Sequence, residues 1–274
     1  MADTLKVKVI LGSTRQGRFS DGNTPSYLRD HPVTTERIAE AQARAAQEPY
    51  RQVPDSLDFQ MVHALARSYQ GTAREAVAYF DEALRERKYN NEIAAHYGLV
   101  ASLLRANDLK RAKVELVALE KIAPPHPMVE AIAGHVYMEA GDLDAAIARF
   151  AAALQRYPNK MQLVYDYPEA LLKAKRAREA AAFLNLQFVR FPEDGPLHRI
   201  AAQAYADLGI QMEVHRHQGE YYAWQGDLRG AVAQLELATK SGDGDFYQAS
   251  VVEARLRTLR RELVEQQANA DGNG

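Results

Sequence analysis

A small side chain followed four residues later by a bulky apolar one recurs along this chain, at Ala76/Phe80, Ala112/Leu116, Ala146/Phe150 and Ala180/Leu184. The alanines are 36, 34 and 34 residues apart, and Pro124, Pro158 and Pro192 also fall 34 apart. Residues four apart share one face of a helix. Each pair therefore marks a helical stripe whose small member admits a neighbouring helix and whose large member fills the space beside it. A fixed period of this length marks a repeat architecture, in which each unit is a helical hairpin that cannot bury its apolar face alone.

One unit shows the pattern most fully: Gly134-x2-Tyr137, then Gly141-Asp142, Ala146-x3-Phe150, Ala153 and Pro158. Gly134 and Ala146 permit close approach of two helices, Tyr137 and Phe150 fill the space between hairpins, Gly141-Asp142 makes the turn and Pro158 stops the second helix. This run resembles the tetratricopeptide repeat signature. The resemblance implies an all-α, tetratricopeptide-like right-handed helical solenoid of about five hairpins over residues 57–267, with the closing estimate of hairpins set by the repeat length.

Later units depart from the pattern. Pro168 stands where the fourth hairpin favours a small residue, and a proline there should kink the helix. After Gly195 the register slips, since the next alanine of this class, Ala231, lies 51 residues beyond Ala180. Helices are predicted over 196–208, 212–224 and 228–240, with Gly219, Tyr222, Gly226, Ala231, Leu235 and Ala238 restoring the pattern. A last amphipathic helix over 245–267 (Val251, Val252, Leu256, Leu259, Leu263) is expected to cap the stack, and 268–274 to form a disordered tail. Ahead of the array, 1–22 reads as a short strand running into a turn, and 23–56 as a loop followed by a helix over 35–47.

The formal net charge of −2 speaks against a nucleic-acid protein, which normally carries a basic excess. No apolar run approaches the roughly 20 residues of a membrane span. With no cysteine, disulfides, thiolate chemistry and cysteine-bound zinc are excluded. None of the eight histidines is followed by glutamate, so the H-E-x-x-H zinc-protease motif is absent. His215 and His217, two apart on a helix, point in different directions and read as surface residues. The cluster Arg255, Arg257, Arg260 and Arg261, interleaved with Glu253, Glu262 and Glu265, reads as a solvated helix face.

The turn Gly12–Ser20 follows the short strand 5–11 and could cradle a phosphate on its backbone amides. It resembles the flavin-phosphate loop of NADPH-dependent FMN reductases, which implies Ser13, Arg15 and Ser20 as contacts to FMN. No further strand–helix units follow to complete such a fold.

The segment His31-Pro32…Glu36-Arg37-Ile38, followed by helical repeats and by the ending Gly244–Ser250, resembles the beta-barrel assembly-enhancing protease family. That family comprises periplasmic zinc metallopeptidases with an upstream H-E-x-x-H site. The resemblance implies His31 as a residue able to reach the zinc, a periplasmic location and unfolded outer-membrane proteins as partners. Because the ligand-bearing helices are missing here, binding of a polypeptide without catalysis is expected of this chain. Residues of the first helix of each hairpin that packing does not use should face a groove: Tyr97, Arg105, His135, Glu139, Tyr165, Lys173, Arg199 and Trp224. Two alternatives stand beside this expectation: an FMN reductase acting through the opening loop, and a cytosolic scaffold, since the chain as written carries no export signal.

Overall fold

The computed structural model describes residues 34–47 and 55–271. The chain divides into two compact units, Met1–Pro54 and Asp55–Gly274. In the first, α1 (Thr34–Gln47) is the helix expected over 35–47.

The second unit is built of helices: α2 (Leu57–Ser68), α3 (Ala73–Glu86), α4 (Glu92–Arg105), α5 (Leu109–Ile122), α6 (Pro127–Glu139), α7 (Leu143–Arg156), α8 (Met161–Lys173), α9 (Ala177–Phe188), α10 (Gly195–Leu208), α11 (Gln211–Trp224), α12 (Leu228–Lys240) and α13 (Phe246–Asp271). It is an all-α repeat solenoid. The pairs α2/α3, α4/α5, α6/α7 and α8/α9 are successive hairpins, α10 is an additional helix packed on α11, and α11/α12 resumes the repeat before α13 closes the end. α13 continues to Asp271, so residues 268–271, expected to be disordered tail, extend its last turn.

Most helices begin at a side chain that accepts from the unpaired amides of the first turn. Ser56, Asn91, Asp108, Asp142, Asp194 and Asp227 each accept from the amide three residues on. Thr72 and Glu75 cap each other reciprocally. α11 lacks a local cap; Asp243, beyond α12, accepts instead from the amides of Gln211 (2.5 Å) and Met212 (2.9 Å).

Within hairpins, the turn residues Asn107, Gly141 and Lys175, spaced 34 apart, all adopt a left-handed conformation, with φ of 55°, 80° and 61°. The fold thus demands the same turn whether or not glycine supplies it. Pro168 lies buried inside α8, which runs on through it to Lys173.

The alanines of the repeat face inward: Ala112, Ala146, Ala180 and Ala231 have no exposed surface, and their bulky partners Phe150, Leu184 and Leu235 none either. A Cβ added at Gly134 would overlap the Phe150 ring, so glycine is what lets α6 and α7 meet there. The side chains form three successive cores: one over α2–α6, one over α6–α10 that takes in Val214 of α11, and one over α11–α13.

Successive first helices touch directly, α2 to α4, α4 to α6, α6 to α8 and α8 to α10. Each second helix packs on its own first helix and on the next one, and no two second helices meet to a comparable extent among the described residues. The first helices therefore form one continuous inner wall.

Two substitutions separate close approach from turn geometry. Gly134→Ala should destabilise by about 1–3 kcal/mol through overpacking against Phe150. Lys175→Gly should gain roughly 0.5–1 kcal/mol, the relief of left-handed strain exceeding the entropy cost of glycine. Urea midpoints at unchanged slope would measure both.

Candidate functional site

The inner wall carries a cleft of ≈ 580 Å³. Its floor and sides come from four first helices: Val62 and Leu65 of α2, Ala101 and Leu104 of α4, Met128 and Ile132 of α6, and Met161 and Leu163 of α8, with Tyr69 at the exit of α2. These are the side chains that the 3.6-residue period turns away from the second helices. The lining is thus mainly apolar, with two tyrosines and a few polar groups.

Of the residues expected to face a groove, Tyr97, Arg105, His135 and Glu139 border this cleft. Tyr97 is nevertheless a core residue, 5% exposed, and burial pushes its hydroxyl pKa well up. Tyr165, Lys173, Arg199 and Trp224 are not part of the lining. The Tyr165 hydroxyl donates to Asp194 (2.8 Å). Trp224 lies against Gly195 and stacks on Tyr221. Ser13, Arg15, Ser20 and His31 lie outside the described residues.

The charged members of this set are engaged with their own neighbours. Arg105 donates to the carbonyls of Ser68 (2.8 Å) and Gly71 (2.5 Å). Lys173 pairs with Glu139 at 2.7 Å, and Arg199 with Glu169 at 2.8 Å. Each pair reaches from one first helix to the next. Sequence reasoning did not find these ties, because spacings of 30 and 34 residues become adjacency only after the hairpins stack.

Two histidines at the cleft are positioned by carboxylates. At the cap of α6, His126 Nδ1 accepts from the Met128 amide, which leaves Nε2–H to donate to Asp58 of α2 at 2.5 Å. One helix further, His135 Nε2 stands 3.1 Å from Asp166 Oδ2. The contact is close enough for charge pairing but off the line of a good hydrogen bond, and that buried oxygen has no hydrogen-bond partner. The other Asp166 oxygen accepts from Gln162. Burial alone would lower the His135 pKa, but the carboxylates of Asp166, Glu169 and Glu139 outweigh it and hold the value above that of an ordinary imidazole.

Two surface assignments from the sequence are corrected. His217 is wholly buried. α11 is enclosed by α10, α12 and α13, so residues two apart point at different neighbours: His215 meets Gln234 of α12 and His217 meets His198 of α10. Likewise Arg255 and Arg260 do not simply face water; they bind Glu220 of α11 (3.0 Å) and Glu236 of α12 (2.7 Å), fastening α13 to the stack.

Among the described residues no group of three or more His, Cys, Asp or Glu is placed to hold a metal ion, and no helix is long and apolar enough to cross a membrane. What the site offers is contact area. A mainly apolar trough, bordered by the paired Glu139, by Arg105 bonded to backbone carbonyls and by Lys160, can bury side chains of a guest.

A tetratricopeptide repeat family model matches residues 137–208, from the end of α6 through α10. No curated protein matches the chain. Solved structures with similarity include "MamA MSR-1 C2" (17% identity, covering 61% of this chain and 95% of that one, TM-score 0.47) and "MamA AMB-1 C2221" (17%, 61% and 96%, TM-score 0.44). A third is a tetratricopeptide repeat protein from Parabacteroides merdae ATCC 43184 (14% identity, 82% of this chain and 90% of that one, TM-score 0.47). These likenesses are distant and carry nothing about ligands.

The His135–Asp166 pairing has a pH signature. An imidazole whose folded pKa is raised contributes stability that is fully present below its unfolded pKa of about 6.5 and lost as pH rises through the folded value. His135→Gln should therefore lower the melting temperature more near pH 5.5 than near pH 8.5, at about the two ends of that titration. A penalty of equal size at both would refute the pairing.

Proposed function

We propose that this chain is a polypeptide-binding module that takes apolar side chains of an extended or unfolded segment into the cleft between α2, α4, α6 and α8. The observation that carries this is an open lining, contributed by four successive first helices, in which apolar side chains predominate. Arg105 and Glu139 border the cleft, but each would have to leave a tie to bind a guest charge. The attraction is thus mainly hydrophobic, with a buried Leu- or Phe-sized side chain contributing about 1.5–3 kcal/mol. Several such anchors along one segment give useful affinity, and the exposed Tyr69 adds area at low entropy cost.

The finer assignment is that the module serves substrate recognition in a periplasmic metalloprotease–chaperone handling unfolded outer-membrane proteins. It is supported by the His31-Pro32…Glu36-Arg37-Ile38 element preceding the array and by the ending Gly244–Ser250.

Fluorescence anisotropy with a labelled, urea-unfolded outer-membrane β-barrel protein, diluted into the purified chain, tests both levels. Binding should weaken about tenfold, or about 1.4 kcal/mol, in Val62→Glu. Val62 is 53% exposed, so the charge falls on the lining and not in the core. Raising salt from about 0.05 to about 0.5 M should change the affinity little, because apolar contact supplies most of the attraction. Unchanged binding by the variant, or a steep fall with salt, would overturn the apolar-groove reading. Equal affinity for an unrelated unfolded cytosolic protein would remove the outer-membrane preference and leave the general one.

A further inference from the structure

Within the extensive contact between α10 and α11, two imidazoles meet. His198 is 5% exposed and His217 fully buried, and their Nδ1 atoms are 2.8 Å apart. The surrounding bonds fix every proton. His198 Nε2 donates to the carbonyl of Pro192 (3.0 Å), so its Nδ1 is the acceptor. His217 Nε2 accepts from the Arg216 guanidinium (3.0 Å), so its Nδ1 carries the hydrogen given to His198. Both rings are neutral and share one proton across the joint. Phe188 of α9 stacks on both at 4.5 and 5.0 Å, and Tyr205 of α10 stacks on His217 at 5.4 Å.

A second proton has no place here. On His198 it would set N–H against N–H; on His217 it would set N–H against Arg216. The charged groups around the pair offer little relief. From α11, Glu213 lies 3.6 Å from His217 Nε2 but is already held by Arg216 (2.6 Å) and by Gln248 of α13 (3.0 Å). Glu220 of α11 is bound by Arg255 of α13. Glu193 and Asp194 sit in the segment before α10, where Asp194 caps that helix and accepts from Tyr165. α9 presents only Phe188 and Asn185, the latter bonded to Tyr205. Burial lowers the pKa of both rings, with Arg216 and His198 adding to the effect on His217.

The position matters. This joint lies where the 34-residue period breaks, between the core of α6–α10 and the separate core of α11–α13, with Val214 the only α11 side chain in the earlier core's buried set. We propose that the His198–His217 contact is an acid-opened joint, through which α11–α13 loosen from the array as a unit while the cleft between α2 and α8 is retained. The sign follows from linkage: with folded values depressed, the contact contributes fully above the ordinary imidazole pKa of about 6.5 and weakens as pH falls below it. This is opposite to His135, so acid strengthens the cleft region while it weakens the joint.

The only tryptophan of the chain, Trp224, packs on Gly195 across this same interface and reports on it directly. In the full-length protein, hydrogen-exchange protection factors and Trp224 emission would be followed from about pH 7.5 to about pH 5, across the imidazole range. Protection of α11 and α12 should fall at least about tenfold further than that of α4–α8, with Trp224 emission shifting in step. Both responses should be flat in His198→Phe/His217→Phe, which preserves the stack without titrating groups. Should that variant fail to fold, ring titration by NMR decides in the wild type: the two imidazoles should take up protons only as the exchange protection is lost. Uniform loss of protection over all helices, no response down to pH 5, persistence of the response in the variant, or ring protonation with the joint still protected would each overturn the proposal.

Discussion

The solenoid depends on helices approaching closely enough for an aromatic ring or leucine to close the gap behind them. Gly134 against Phe150 and Gly219 against Leu235 are the tightest expressions of this within a hairpin, and a single methyl group at either glycine would collide with its partner. Gly98 against Phe80 does the same between one hairpin and the next. Because interiors are packed to near-crystalline density, this spacing cannot be relaxed locally without displacing a whole helix. The stacking of first helices follows from it, and with that stacking the inner wall and its cleft.

The polar groups of the wall obey a second constraint. Charges brought together by stacking are worth little individually at an exposed surface, on the order of 0–1 kcal/mol each. Their effect here is on availability. Once Lys173 holds Glu139, the one glutamate at the cleft is already paired, and the selectivity of the cleft shifts toward apolar guests. The buried pair at the end of the array obeys a harsher rule. His198 and His217 are satisfied only in one protonation state, so their contribution depends on pH in a way that an aliphatic contact would not.

The repeat was legible in the sequence because its determinants are local. The alanine and its partner four residues on, the prolines after α5, α7 and α9 and the slip before Ala231 all report helix faces and lengths. The residues bordering the cleft were half legible: Arg105, His135 and Glu139 follow from helical period alone, whereas the burial of Tyr97 depends on how α4 rotates against its neighbours. The ion pairs along the wall and the burial of His217 were not legible. Both arise from adjacency between units, and for His217 from α11 being enclosed on several sides where a lone hairpin would leave one face wet.

Asp243 ties the start of α11 to the segment just beyond α12. A helix start normally draws its cap from the residue just before it, so it can form as soon as its own segment is made. The start of α11 is instead satisfied by a carboxylate some thirty residues downstream, past the whole of α12. Its first two amides therefore meet that carboxylate only once the later stretch has been synthesised and folded back, which couples α11 to α12 in an otherwise additive, unit-by-unit array.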